Sequence, residues 1–358
     1  MREIKTIAVV CNYDLKPDRI GGMDRFFKAY NKALLEEGKS VIWFFSGGEI
    51  FEFYEGFILH IAANDNVEEL YIDYLKNNKM IDATVTHFVA LCTPFYKNIR
   101  KHRVKKIIAV DHNPRPLSGF PWKKKIRNRI KGILFSDYID LFVGVSHYTA
   151  CHILKDYGNN LASKTVTVYN GVDTSIYLKR TEDNLGKFII ASHLRVSKGI
   201  QDLIEAVHLL PFEIQKMIKI DIYGEGPLEN DLKDRIKKYN LQKTIKIMGS
   251  SPYLHVEFKN YSYLLQPTYM ECFSLSILES LAANVPVITT PVGGNLEIIT
   301  EGINGFLFPP GDIKALQTLL KKIVLKEISI KREVNSEIEE NYHLQNMVRN
   351  HIDLLKCT

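Results

Sequence analysis

Glu271 and Glu279 stand eight residues apart in the run Gln266-Pro267-Thr268-Tyr269-Met270-Glu271-Cys272-Phe273-Ser274-Leu275-Ser276-Ile277-Leu278-Glu279. Carboxylates are natural acceptors for the paired hydroxyls of a sugar or ribose. On one unbroken helix eight residues turn through about 80°, so the two would not share a face. Ser276 and Glu279 fit the S-x-x-E capping box, which predicts a helix starting there with Glu279 in its first turn. Glu271 then falls in the preceding loop, beside the amides that a helix N-terminus leaves unpaired. In that arrangement the two carboxylates can converge on one polyol. The capping box also offers Glu279 a purely structural role, receiving the Ser276 amide; Glu271 has no such alternative.

Arg195 and Lys198 lie in His193-Leu194-Arg195-Val196-Ser197-Lys198-Gly199, after the apolar run Phe188–Ser192. Two cations in a strand-to-helix loop suit a diphosphate, which Arg can grip as a fork. The commoner fate of such a pair is a solvated loop. His112, in Val110-Asp111-His112-Asn113-Pro114, can donate to a sugar hydroxyl or a developing charge, or simply be a hydrogen-bonded surface histidine. Gly21-Gly22 precedes the first long helix and can admit an anion to backbone amides, although an ordinary turn reads the same way. No G-x-G-x-x-G follows the first strand, which counts against a standard dinucleotide turn. In Tyr223-Gly224-Glu225-Gly226-Pro227, Gly226 fits an N-cap and Pro227 a first helical position. That turn either starts a helix or lets a flat or charged ligand reach the backbone.

These residues need elements to hold them. Apolar runs at Ile4–Cys11, Val41–Phe45, Ile107–Val110 and Leu141–Val145 predict strands in the first half. Phe188–Ser192, Ile220–Tyr223, Ile245–Met248, Tyr263–Gln266 and Val287–Thr289 predict them in the second. Helical stretches such as Met23–Glu37, Gln201–Leu210 and Leu228–Tyr239 fall between. Continuous β-rich runs alternating with helices argue for parallel sheets covered on both faces. Two such series predict two doubly wound α/β domains, with a polar seam near Asp173–Gly186. Ligands of open α/β sheets bind beyond the carboxyl ends of the strands, where the loops above lie.

The 358 residues include 47 Lys and Arg against 41 Asp and Glu, a net charge of +6. The surplus is uneven. Residues 1–180 hold 27 basic and 19 acidic residues, and residues 181–358 hold 20 and 22. A basic first half and an acidic second half imply that the first faces something anionic or is merely a basic domain. The excess concentrates at Lys97, Arg100, Lys101, Arg103, Lys105 and Lys106, and in the run Trp122–Phe135, WKKKIRNRIKGILF. On a helical wheel Trp122, Ile126, Ile130, Ile133 and Leu134 fall within about 120°, the pattern of an interfacial membrane helix or of an ordinary core helix. Nucleic acid is disfavoured, since no RNA- or DNA-binding pattern accompanies the charge. The cysteines Cys11, Cys92, Cys151, Cys272 and Cys357 are odd in number and form no C-x-x-C, which suits a reducing compartment rather than disulfides or zinc. The Ile7–Cys11 run is too short for a signal sequence and no run approaches a membrane span, so a cytoplasmic protein is expected.

Taken together, the E-x7-E element of Glu271 and Glu279 resembles that of the retaining glycosyltransferases of the GT-B fold, group 1 (family 4) type. The runs Thr290-Pro291-Val292-Gly293-Gly294-Asn295-Leu296-Glu297-Ile298-Ile299 and Glu301-Gly302-Ile303-Asn304-Gly305-Phe306-Leu307-Phe308-Pro309-Pro310-Gly311-Asp312 resemble the same family, as does Tyr169-Asn170-Gly171-Val172-Asp173. The likeness is specific over residues 165–312. In the first half it rests on rhythm, Gly21-Gly22 and His112.

The resemblance implies two Rossmann-like domains facing across a cleft. Residues 1–175 would bind the acceptor, residues 176–340 would bind the nucleotide-sugar, and residues 341–358 would form a helix packing back towards the first domain. It implies that Glu279 binds ribose hydroxyls and that Glu271 holds donor-sugar hydroxyls, with Phe273, Ser274 and Leu275 offering amides nearby. Arg195 and Lys198 would bind the diphosphate and stabilise its leaving charge, Gly22 would approach the phosphates, and His112 would contact the transferred sugar. Many members carry Arg five residues before the Lys; here His193 holds that place. Cys272 stands where the family usually has Gly.

The implied activity is sugar transfer from a nucleotide-diphosphate sugar to an acceptor hydroxyl with retention of configuration, in cell-surface glycan or glycolipid synthesis. No metal or other cofactor is expected, as the sequence holds no D-x-D. The expected partners are the donor, a glycan or lipid-linked acceptor and an anionic membrane surface, with the protein peripheral at the inner face of the membrane. The competing readings are a nucleotide-sugar epimerase of the same fold and a non-catalytic sugar-nucleotide-binding subunit.

Overall fold

The computed structural model describes residues 4–77 and 80–356. Cys357 lies outside the described residues. The chain divides into two compact units. The first comprises the described residues of Met1–Pro114, Ser118–Asn170 and Leu344–Thr358, and the second Arg115–Leu117 and Gly171–His343.

The first unit contains β1 (Thr6–Leu15), α1 (Gly22–Glu36), β2 (Ser40–Gly48), β3 (Ile58–Ile61), α2 (Val67–Asn77), β4 (Ala83–His87), α3 (Pro94–Lys101), β5 (Lys106–Asp111), α4 (Trp122–Phe135), β6 (Leu141–Gly144), α5 (His147–Tyr157) and β7 (Thr165–Thr167). Among the described residues these seven strands form one sheet in the order β3-β2-β1-β4-β5-β6-β7, every pair parallel. The chain starts in the middle, at β1, and the strand order reverses between β1 and β4.

The second unit contains β8 (Lys187–Ala191), α6 (Ile200–His208), α7 (Phe212–Lys216), β9 (Lys219–Tyr223), α8 (Glu229–Lys238), β10 (Ile245–Gly249), α9 (Leu254–Glu257), β11 (Tyr263–Gln266), α10 (Leu275–Ala282), β12 (Val287–Thr289), β13 (Gly305–Leu307), α11 (Ile313–Val324) and α12 (Ser336–Asn341). Its sheet, again parallel throughout, runs β10-β9-β8-β11-β12-β13 and reverses between β8 and β11. The last helix, α13 (Leu344–Lys356), belongs to the first unit, where His351 packs on Phe26 of α1 with ring centroids 4.8 Å apart.

Parallel strands covered by helices bury both faces, and the central strands here are apolar accordingly: Ile7 to Cys11 and Phe188 to Ile190 are all but inaccessible. β4 is the exception in composition. Its run Ala83-Thr84-Val85-Thr86-His87 is fully buried yet polar, so apolar patterning does not find it. The threonines are satisfied inside the core, Thr84 by the Tyr71 hydroxyl at 2.6 Å and Thr86 by that of Tyr96 at 3.1 Å. Cys11, Cys92, Cys151 and Cys272 are free thiols.

Two helix starts differ from the sequence expectation. α10 begins at Leu275, and its N-cap is Ser274, whose hydroxyl accepts from the Ile277 amide at 3.3 Å. The Ser276 hydroxyl instead donates to the Ala191 carbonyl at 2.6 Å, so Ser276 and Glu279 form no capping box and Glu279 falls in the second turn. Likewise α8 begins at Glu229 rather than at Pro227, because the Leu228 amide is drawn to the Leu194 carbonyl at 3.0 Å.

Candidate functional site

The second unit places Lys198 and Glu271 in loops that follow neighbouring strands at its reversal point. Lys198 ends a short turn, Val196–Lys198, after β8; Glu271 follows β11, which pairs directly with β8. The strands of an open sheet diverge into a crevice at such a point. There the Lys198 ammonium donates to the Glu271 carboxylate at 2.8 Å, both side chains being mostly shielded from solvent. Burial works against the lysine's charge, but the adjacent carboxylate outweighs it and holds the pKa above the ordinary lysine value.

Two glycines make this approach possible. Gly199 sits at φ +68°, and a Cβ there would meet the Pro267 carbonyl oxygen at 1.8 Å. Gly293 sits at φ +59°, and its Cβ would meet the Glu271 carbonyl oxygen at 1.8 Å. One lets the Lys198 turn lie on the Glu271 loop, and the other lets the β12 loop support that same loop from behind. Hydrogen bonds complete the clasp: the Ser197 carbonyl accepts from the Tyr269 amide at 2.8 Å and the Thr268 hydroxyl at 3.1 Å, and the Tyr269 hydroxyl donates to Asp202.

Beneath the loop lies a buried polar network. Gln266 donates to the Ser274 hydroxyl at 2.6 Å, and Asn295 donates to the Thr289 hydroxyl at 3.1 Å and the Thr290 carbonyl at 3.2 Å. Such networks fix one geometry because any unpaired member is costly. Sequence reasoning passed over Gln266, Asn295, Gly199 and Gly293 as site supports, since nothing in their spacing names their partners.

Around the ion pair, Arg195 is exposed at the start of the Lys198 turn and engages no carboxylate among the described residues. Phe273 is buried with its ring 5.5 Å from that of Tyr342. Ser274 and Leu275 open α10, whose first amides have no intrahelical acceptor. Glu279 is half-buried on that helix. The second unit therefore gathers two cations, a carboxylate and a helix N-terminus around the ends of β8 and β11.

The first unit places Gly22 at its own reversal and His112 one strand beyond it. Gly22 is buried at the start of α1, after β1. The turn is held by Asp24, a fully buried carboxylate that accepts from the Gly21 amide at 2.8 Å, the Tyr13 hydroxyl at 2.8 Å and the Tyr54 hydroxyl at 2.6 Å. His112 follows β5 and is buried under Phe88, with ring centroids 4.1 Å apart. Its Nε2 lies 3.0 Å from Nδ1 of His87, at the end of the adjacent strand β4. His87 Nε2 is buried without a hydrogen-bond partner, so the cheaper tautomer is the one in which Nδ1–H of His87 donates to His112 and leaves Nε2 as a bare acceptor. Desolvation lowers the pKa of His87 well below the ordinary value and that of His112 to about 3, so both are neutral at pH 7. His87 escaped the sequence reading because β4 did.

Residues 178–342 match the family model of glycosyl transferases group 1, so this segment, most of the second unit, carries that domain. The chain is 30% identical over 198 residues to an uncharacterized glycosyltransferase of Methanocaldococcus jannaschii, covering 53% of each chain. It thus spans about half the length of that relative. It is 24% identical over 298 residues to the N-acetyl-alpha-D-glucosaminyl L-malate synthase of Bacillus anthracis, covering 80% of this chain and 72% of that one. In fold it is similar to the Anabaena protein HepE, crystallised with UDP and glucose, at a TM-score of 0.81 and 15% identity over 99% of this chain and 100% of that one. The architecture is the two-domain Rossmann-like α/β fold of the GT-B glycosyltransferases.

Proposed function

We propose that the protein transfers a sugar from a nucleotide-diphosphate sugar to an acceptor hydroxyl with retention of configuration. The observation that carries this reading is the Lys198–Glu271 ion pair at the β8/β11 reversal, beside the start of α10. In this reading Glu271 accepts from donor-sugar hydroxyls and Glu279 from the ribose. Lys198 and Arg195 bind the diphosphate, with the amides of Phe273, Ser274 and Leu275 lining the donor. From the first unit, Gly22 would approach the phosphates and His112 would contact the transferred sugar.

The bond between the sugar's anomeric carbon and the diphosphate breaks, and its electron pair stays on the phosphate oxygen. The acceptor hydroxyl bonds to that carbon on the same face and gives its proton to the departing phosphate. Fixed cations and helix amides stabilise the charge that develops on the leaving oxygen, so the reaction as proposed needs no metal. No enzymatic nucleophile is required.

The relatives act on sugars, as their names say, and the HepE structure was obtained with UDP and glucose. The acceptor is proposed to be a glycan or lipid-linked molecule of cell-surface polysaccharide or glycolipid synthesis. The protein would then work in the cytoplasm, peripheral to an anionic membrane face, which the basic first half supports. Among the described residues no helix is long and apolar enough to cross a membrane.

A thermal-shift screen with UDP-, GDP- and ADP-sugars tests the donor. One nucleotide class should raise the melting temperature by mass action, and the enzyme should release the free sugar slowly from that donor. Stabilisation by none of them, or turnover to an epimer without an acceptor, would overturn the reading.

A further inference from the structure

The helix α4 exposes what an amphipathic helix normally hides. Trp122 is 67% exposed, Ile126 and Ile130 51% each, Ile133 77% and Leu134 57%. The side of α4 that packs on the protein is instead lined by Asn128 and Gly132, its two buried residues. At about 100° per residue these lie nearly opposite the centre of the apolar stripe. The rotation is locked: a Cβ on Gly132 would meet the Tyr157 carbonyl oxygen of α5 at 2.0 Å, so only glycine fits there and the stripe cannot turn inward. The sequence alone left open a core helix with an apolar stripe; the packing of Gly132 excludes it.

The stripe is bordered by cations. Lys125 and Arg129 flank one side and Arg127 and Lys131 the other, with Lys123 within it, and residues 122–135 contain six basic residues and no acidic one. The ammonium of Lys124 lies 3.5 Å from the centre of the Phe120 ring, keeping a further aromatic beside the charges. The other basic cluster is in part structural. Arg100 is bound to Asp140 and to the carbonyls of Val104 and Lys105 at 2.9 Å each, Lys105 pairs with Asp82 at 2.5 Å, and Lys106 is buried.

We infer that the outer face of α4 is the surface by which this protein docks on an anionic lipid bilayer, the stripe entering the headgroup–acyl boundary while the flanking cations meet the lipid phosphates. The inference deepens the acceptor-side reading above, resting on it for the choice of a lipid surface but not for the location. Apolar side chains in a plane with cations on both flanks match a surface that is greasy at its centre and anionic at its rim. A second copy of the chain is a poorer occupant. A two-fold contact through α4 would set six cations against six like charges.

Vesicle flotation tests this with the full chain, using phosphatidylglycerol–phosphatidylcholine vesicles and pure phosphatidylcholine vesicles. The wild type should float with the anionic vesicles at low ionic strength and much less with the neutral ones. Ile130→Ser combined with Ile133→Ser should weaken binding about tenfold or more, since two exposed apolar groups lose their insertion. Lys123→Ser, Lys125→Ser and Arg129→Ser together should weaken it about a hundredfold at low salt. All five positions are solvent-exposed, so an unchanged melting temperature is expected and certifies the fold.

Undiminished binding by both variants would overturn the assignment to α4 while leaving a membrane role elsewhere. No binding of the wild type would overturn the membrane role itself. Dimerisation of the wild type abolished by the isoleucine variant would show the face to be a self-interface and also overturn the proposal. Donor-sugar hydrolysis, measured in parallel, should be the same in all variants; its absence in the wild type would count against the transferase reading and not against docking.

Discussion

Lys198 holds its charge in surroundings where burial works against it, because Glu271 stands 2.8 Å away. Two consequences meet in Lys198→Ala. The variant removes the cation proposed to stabilise the leaving diphosphate, and it strands a largely buried carboxylate without its partner. Turnover should fall roughly 10²-fold or more, with steady-state kinetics as the measure, and unchanged kcat would dismiss the leaving-group role. Both residues were legible in the sequence from their types and from their place after a strand. Their pairing was not, because they are 73 residues apart and nothing in either loop names the other. Glu279 runs the other way. Its sequence pattern offered a structural explanation that the fold removes, since Ser274 caps the helix and Ser276 is committed to the Ala191 carbonyl.

At the scale of elements, the loops after β8, β11 and β12 are interlocked by backbone approaches that tolerate no side chain. Gly199→Ala would force a residue with φ near +68° to carry a Cβ into the Pro267 carbonyl. The cost should be about 1–3 kcal/mol of stability, read as a lowered chemical-denaturation midpoint. Donor binding should weaken with it, because Lys198 is the preceding residue. A melting curve matching the wild type would show that the turn yields without strain. The sequence predicted most strands from their apolar runs, but missed β3, β4, β7 and β13. β4 is the instructive case: its threonines look like surface residues until Tyr71 and Tyr96 are folded over them. Only then does His87 arrive beside His112.

Across the first unit, three histidines are buried and neutral. Desolvation lowers the pKa of His87, takes His112 to about 3 and takes His351 to about 4. An unfolded chain protonates these rings near pH 6.5. Between that pH and the folded values the unfolded state binds more protons, so stability must fall as the pH falls. From pH 7 to pH 5 the loss should be about 2 kcal/mol per histidine, before most carboxylates begin to titrate. Both tryptophans, Trp43 and Trp122, lie in the first unit, so fluorescence-monitored urea unfolding reads this unit directly. His351→Phe should flatten the dependence, and a pH-independent midpoint over this range would show that the rings take up protons in the fold as they do in the unfolded chain. At the same scale α13 lies on α1, where its His351 meets Phe26 and Tyr30.

The sequence by itself determined the two α/β series, the cations and carboxylates proposed to meet the donor, and the amphipathic character of residues 122–135. These follow from local chemistry: apolar runs make buried strands, and charged residues after strands end up beyond the carboxyl ends of the sheet. Tertiary structure decided which of them touch and which way they face. The strand order brings β8 beside β11 and β4 beside β5, a long-range pairing no local pattern encodes. The direction of α4 was decided by one carbonyl, that of Tyr157, which leaves room for Gly132 alone and so turns the helix's apolar face to solvent.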